Sequence, residues 1–248
     1  MPYRTDVAYL YDGSFEGLMC CVYESYYNKE LPSAIFDFDE EQATLFPVKE
    51  ITTDQTFAKI VAQSIAQKIS KEAMHLVRQC YYSNMENREI AILNFLRIGF
   101  KVGKPVTNML TNDAVRLVIK CEKTVSRESG YFLEFLRFSE YNGALVAIIE
   151  PKNFVLPMIS GHFCDRFPSE QFLIYDKTHD FAFIHQNGEK ALVPLRNLEL
   201  PVTCEKEEQI RTLWKQFYNT IAIESRINLK LRMGNMPKRY WTHMTEFQ

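Results

Sequence analysis

The sequence predicts an α+β fold: a helical block packed with a small antiparallel sheet and closed by a long C-terminal helix. Three observations carry that expectation. Apolar residues recur at helical spacing through the middle of the chain, from Thr53 to Val125. From Phe132 the period shifts towards two, in the run FLEFLRFSEYNGALVAIIEP, which turns back on itself at Asn142-Gly143, a dipeptide suited to a tight hairpin. Helical spacing then returns over Glu205 to Leu231, where Ile210, Leu213, Trp214, Phe217, Ile221 and Ile227 form a stripe of the kind that usually faces a core.

Taken in order, VAYLY at Val7 to Tyr11 suits a buried strand, and Asp12-Gly13 ends it. Ser14 then caps a helix carrying Phe15, Leu18, Met19, Val22 and Tyr26 on one face. An acidic, proline-bearing connection follows from Leu31 to Glu50. Helices are predicted over Thr53 to Ile69, Glu72 to Tyr82, Glu89 to Phe100 and onward from Asn112, where Ala114, Leu117, Val118, Cys121 and Val125 share a face. After the hairpin come a short helix at Leu156 to Phe167 and two or three strands in QFLIYDKTHDFAFIHQNGEKALVPL, with turns at Lys177 to Asp180 and at Asn187-Gly188. Gly234-Asn235-Met236-Pro237 breaks the last helix before a terminal turn, RYWTHMTEF. We read 1–248 as a single α+β domain, with 52–130 as a helical insertion or lobe of it.

With 46% hydrophobic and 24% charged residues in 248, the composition is that of an ordinary globular protein. The start, MPYRTDVAYLYDGS, lacks the pattern of a signal or transit peptide, and the longest uncharged stretch, Asn153 to Cys164, is too short to span a bilayer. A cytoplasmic protein without membrane contact is expected. Cys20, Cys21, Cys80, Cys121, Cys164 and Cys204 show no CxxC spacing, so they read as reduced core thiols and not as a metal or cluster site. The net charge of −2 hides an alternation: −7 over 1–67, +5 over 68–137, −4 over 138–224 and +4 over 225–248. Two basic segments brought together would make a phosphate-neutralising patch.

Several motifs fail. Gly99 to Pro105 has glycines one residue too close for a phosphate-binding loop, and proline stands where the magnesium-binding hydroxyl belongs. Neither HExxH nor GxSxG occurs. No metal or cofactor is expected. What survives is polar and dispersed. Asp12 and Ser14 place backbone amides at a helix start, where an anion or a simple cap fits. Arg137, Glu150, His162, Arg166, Tyr175 and Asp176 fall at strand and helix edges, where they suit a polar pocket or structural ion pairs. Glu150, His162 and Asp176 are the acid–base candidates, and catalysis itself is left open. The last segment interleaves Arg226, Lys230, Arg232, Lys238 and Arg239 with Tyr240 and Trp241. Cations for a phosphate backbone beside flat rings for bases are what single-stranded nucleic acid needs, although the same rings also suit a C-terminus anchored in its core.

Read together, YDGSFEGLMCCVYESY, LRFSEYNG, IEPKNFVLPMISGHFCDRFP, IYD with its following hairpin, and MPKRYW resemble, in order and spacing, one family of proteins assigned to DNA metabolism. Its members are encoded beside a radical-SAM partner protein, and in some relatives the domain is fused to a uracil-DNA glycosylase-like domain. The likeness runs from Ala8 to Glu246. It implies context and not a reaction, since this chain carries neither cluster-binding cysteines nor a glycosylase domain, and both activities would reside in partners. The residues in the matching motifs, Asp12, Arg137, Glu150, His162, Arg166, Asp176, Arg239, Tyr240 and Trp241, form the candidate site. The resemblance implies a DNA-binding accessory protein in repair or modification, acting with a radical-SAM or glycosylase partner. The alternatives are an enzyme acting on a nucleobase or glycosidic bond, and an interaction subunit that does not touch DNA.

Overall fold

A computed structural model describes residues 3–38, 44–200, 205–221, 225 and 228–247, and it divides into two compact units, Met1–Ser126 and Arg127–Gln248.

In the first unit, β1 (Ala8–Tyr11) is the middle strand of a parallel three-stranded sheet, flanked by β2 (Ile35–Asp37) and β3 (Val48–Glu50). The helix α1 (Phe15–Tyr27) is the crossover from β1 to β2. It begins where the sequence places it, with the Ser14 side chain accepting a hydrogen bond from the Gly17 amide at 2.9 Å. The strands β2 and β3 lie inside the stretch read as a connection. At three residues each they are too short to show a period.

The helix α2 (Gln55–Ser64) is capped by Asp54 and runs on as a π-helical turn over Ile65–Ile69. Then come α3 (Lys71–Tyr81), capped by Ser70, and α4 (Arg88–Val102). The long α5 (Asp113–Phe135) contains the boundary between the units. One core serves the first unit: Tyr9 and Tyr11 of β1 and Leu18 of α1 are buried with Ile65, Val77, Phe95 and Val118. Gly99, the failed loop motif, instead makes room for the π turn, since a Cβ there would lie 2.7 Å from Ile69 Cδ1.

In the second unit, β4 (Ser139–Tyr141), β5 (Ala144–Ile149), β6 (Phe172–Asp176), β7 (Phe181–Gln186) and β8 (Glu189–Pro194) form one sheet in that spatial order. Asn142-Gly143 and Asn187-Gly188 both adopt the paired positive φ of a tight hairpin, at 51° and 84° and at 53° and 81°. The sheet is antiparallel except between β5 and β6. These run parallel, joined by the crossover helix α6 (Leu156–Arg166). Strand period says nothing of direction; a helix placed between two strands does. The helix and sheet bury Val155, Leu156, Ile159 and Phe163 against Ala147, Ile149, Phe172 and Ile174.

The expectation of a long closing helix is corrected. The helix α7 ends at Thr220 (Glu205–Thr220), and the short α8 (Leu229–Asn235) starts afresh. The Asn228 side chain accepts from the Leu231 amide at 3.0 Å, so a residue inside the apolar pattern acts as a cap. The chain then closes in two 3-10 turns, Lys238–His243 and Thr245–Phe247. No helix among the described residues is long and apolar enough to cross a membrane. The described cysteines, Cys20, Cys21, Cys80, Cys121 and Cys164, are free and buried; Cys204 lies outside the described residues.

Candidate functional site

The predicted residues fall into two groups, one in each unit. In the first, the Asp12 carboxylate sits over the start of α1. Its Oδ1 accepts from the Ser14 amide (3.0 Å) and hydroxyl (2.6 Å), and its Oδ2 from the Thr53 hydroxyl (2.8 Å). Partial burial pushes this carboxyl up, but the Ser14 and Thr53 hydrogen bonds outweigh it and hold the group below the usual aspartate value. The helix start therefore already carries an anion belonging to the chain. Only glycine fits beneath it, because a Cβ on Gly17 would lie 2.2 Å from Asp12 Oδ1.

In the second unit the C-terminal motif turns inward. Tyr240 is 6% exposed and packs edge-on against Phe132, with ring centroids 5.1 Å apart. Burial raises its hydroxyl to about 12. Arg239 lies over the Tyr240 ring, donates to its hydroxyl, and forms an ion pair with Glu128 Oε1 at 2.6 Å. Glu128, buried in α5, also accepts from the Lys152 amide (3.0 Å) and the Asn153 amide (2.8 Å). One carboxylate thus ties the motif MPKRYW to the loop after β5. Trp241 is half-buried, stacked on Phe247 at 4.4 Å and donating to the Met236 carbonyl. Of the other tail cations, Lys230 and Lys238 are exposed, Arg232 stands over the Tyr218 ring, and Arg226 lies outside the described residues.

The acid–base candidates separate. Asp176, fully buried, caps the β6–β7 turn by accepting from the Thr178 and His179 amides, and holds His179 Nδ1 at 2.7 Å. Glu150 accepts from Lys177 Nζ and faces His243 Nε2, each at 3.1 Å. The Lys177 hydrogen bond, with His243 second to it, keeps this carboxyl below the usual range despite some burial. His162 is exposed on α6 with its ring edge-on to Phe163, and it joins neither group. Tyr175 is buried, its hydroxyl 3.3 Å from Asp180 Oδ1.

Arg137 and Arg166 come together. Both line a cleft of about 480 Å³ with Phe138, Phe167, Arg211 and Trp214. Arg137 pairs with Glu246 at 2.7 Å, and its buried Nε has no hydrogen-bond partner among the described residues. Arg211 bonds to Glu207 (2.9 Å) and to the Ser139 hydroxyl (2.6 Å). Arg166 lies over the Phe167 ring and has no ion pair among the described residues. The structural pairing with Glu150 and Asp176 that the sequence left open is absent there, since both carboxylates have the other partners just described. Arg137 also borders a cavity of about 20 Å³, room for a single water, together with Glu150, Arg239, Tyr240 and His243.

Sequence reasoning missed Glu128, Glu207, Arg211, His179, His243 and Glu246, and took Trp214 for a core residue. The i, i+4 spacing of Glu207 and Arg211 on a helix was a readable signal. Nothing local marks Glu128.

Among the described residues, no three His, Cys, Asp or Glu side chains converge to hold a metal ion. A family model described as a domain of unknown function, DUF4130, matches residues 86–246, and the chain belongs to that family. No curated protein and no solved structure matches it.

Proposed function

We propose that this DUF4130 chain is an accessory protein of DNA metabolism, in repair or modification. Its second unit takes a single-stranded or unpaired segment of DNA into the cleft at Arg166 and presents it to a radical-SAM or glycosylase partner. The observation that carries the reading is Arg166, a guanidinium without a carboxylate partner among the described residues, in a cleft that also offers Phe167 and Trp214. A charge for phosphate beside flat rings for bases is the chemistry of sequence-tolerant single-strand binding. The family resemblance supplies the DNA context. In the tail, where residue types suit nucleic acid and core-anchoring equally, Lys230 and Lys238 are the exposed cations without an ion pair among the described residues, because Arg239 is held by Glu128 and Tyr240 by the core.

The partner half of the proposal rests on α7. This helix turns Glu207, Arg211 and Tyr218 inward, towards β4 and the tail, through Ser139, the Glu140 amide and Phe247. Its apolar stripe is left outward: Leu213 is 63%, Phe217 52% and Ile221 58% exposed. An apolar stripe on the outer side of an anchored helix marks a protein interface.

Fluorescence anisotropy with a single-stranded oligonucleotide tests the first half. Binding is expected to weaken steeply between about 50 and 200 mM salt, and to weaken further in Arg166→Ala and Trp214→Ala. Absence of salt-sensitive binding would refute it. For the second half, co-purification with the radical-SAM partner should survive nuclease and be lost in the Leu213→Asp, Phe217→Asp variant. Retention of the partner by that variant removes α7 from the account.

A further inference from the structure

The first unit contains a groove that the DNA reading does not use. It lies between α1 and the stretch from α2 through the π turn, holds about 440 Å³, and is lined by Tyr23, Tyr26, Tyr27, Phe100 and Lys68 among others. Two of these rings form a ladder with Phe57 of α2. Tyr27 stacks on Tyr23 at 5.8 Å and 12°, and Tyr23 stacks on Phe57 at 4.3 Å and 13°. The ladder is most open at its Tyr27 end, which is 72% exposed against 38% for Phe57. A ring that size left in water at the end of a parallel stack offers a face on which another planar group can continue it.

The π turn supplies the polar end. Its i to i+5 hydrogen bond, from the Ser70 amide to the Ile65 carbonyl at 3.1 Å, widens the helix so that Ile65 and Ile69 both enter the core. Ser64 and Lys68, each one residue earlier, are left lining the groove. Lys68 is the single charged side chain among the lining residues, and it is exposed. An aromatic platform with one ammonium group and several hydroxyls selects for a flat ligand with one anionic group. A second cation is disfavoured by Lys68, and a purely apolar ligand leaves the ammonium without a partner.

We propose that this groove binds a planar aromatic molecule bearing one anionic group, of about mononucleotide size, with its ring continuing the Tyr27–Tyr23–Phe57 stack and its anion on Lys68. The site lies in the other unit from the DNA cleft and stands or falls separately from it. The same chemistry occurs in a nucleoside monophosphate and in an aromatic carboxylate, so the test uses both. Aromatic NMR resonances of Tyr23, Tyr27 and Phe57 are followed during titration of the full chain with deoxyadenosine monophosphate, 2-naphthoate and, as the uncharged control, deoxyadenosine. One of the two anions is expected to shift these resonances, and deoxyadenosine to bind about fivefold to tenfold more weakly than its monophosphate where the nucleotide is the ligand. Lys68→Ala should weaken the anion by the same factor, and Tyr27→Ala should weaken ring binding; both side chains are exposed, so both variants should fold. A shift by the nucleotide alone assigns the site to nucleotides, and a shift by naphthoate alone assigns it to aromatic acids. The proposal is overturned if neither anion shifts these resonances at millimolar concentration, or if the shifts persist unchanged in both variants.

Discussion

Trp241 and Trp214 lie in the same unit, each beside arginines, yet the fold treats them oppositely. Trp241 is stacked on Phe247 in a tail whose Arg239 is held by Glu128 and whose Tyr240 is buried. Trp214 is 40% exposed on α7, at a cleft where Arg166 has no ion pair among the described residues. Both segments interleave cations with rings. What separates them is which arginine the carboxylates leave over: Glu128, over 100 positions away in sequence, holds the tail's Arg239, whereas Glu246 and Glu207 hold Arg137 and Arg211 of the cleft and leave Arg166 without an ion pair among the described residues. Composition locates a basic-aromatic segment; the acceptors around it determine whether it faces ligand or core.

That contrast can be broken at several points. The largest effect is expected for Tyr240→Ala, which removes a ring from the core beside Phe132 and should cost about 3–5 kcal/mol in urea unfolding. A loss below about 1 kcal/mol would mean that the tail is not part of the core. Next is Glu128→Ala. It removes the carboxylate that the Lys152 and Asn153 amides and Arg239 share, and about 2–4 kcal/mol should be lost. In the first unit, Gly17→Ala drives a methyl into the Asp12 carboxylate and should cost about 1–3 kcal/mol, with Asp12→Ser relieving part of it. Arg166→Ala, at an exposed side chain, should change stability by less than about 0.5 kcal/mol while weakening single-strand binding.

The smallest effect concerns pH. Asp12 and Glu30 are both held below their usual values of 3.8 and 4.5, Asp12 by Ser14 and Thr53, Glu30 by Tyr9 and Lys49, in each case against an upward push from burial. A depressed carboxyl stabilises the fold fully above its unfolded value, and that contribution is lost as pH falls through the folded one. Stability should therefore be flat down to about pH 5 and then decline. Asp12→Asn should shrink the decline by less than about 1 kcal/mol, because the group is mostly exposed to solvent screening. An unchanged acid limb would show that the Ser14 and Thr53 hydrogen bonds do not favour the charged form.

Much of the fold was legible because its signals are local. Asn142-Gly143 and Asn187-Gly188 demand positive φ, and Ser14 is a cap next to the helix it starts. The strands β2 and β3 were not legible, since three residues carry no period and their pairing with β1 is non-local. The end of α7 was hidden for a different reason. Its apolar spacing continues past Thr220, and only the Asn228 cap contradicts it. The same stripe misled about burial, because polar contacts of Glu207 and Arg211 anchor α7 and leave its apolar side outward. For the site, Arg137 and Arg166 were found by type and position, while Glu128 and Glu246, which govern what Arg239 and Arg137 can do, leave no mark in the sequence around those arginines.

One salt titration separates the two cation sets, that of the cleft and that of the tail, by which of them meets DNA. Single-strand affinity is measured across salt concentrations for the wild type, for Arg166→Ala with Trp214→Ala, and for Lys230→Ala with Lys238→Ala. The cleft variant is expected to lose about tenfold or more in affinity and to lower the salt slope by about one, while the tail variant changes either only slightly. A cleft variant that binds like wild type while the tail variant fails would contradict the account.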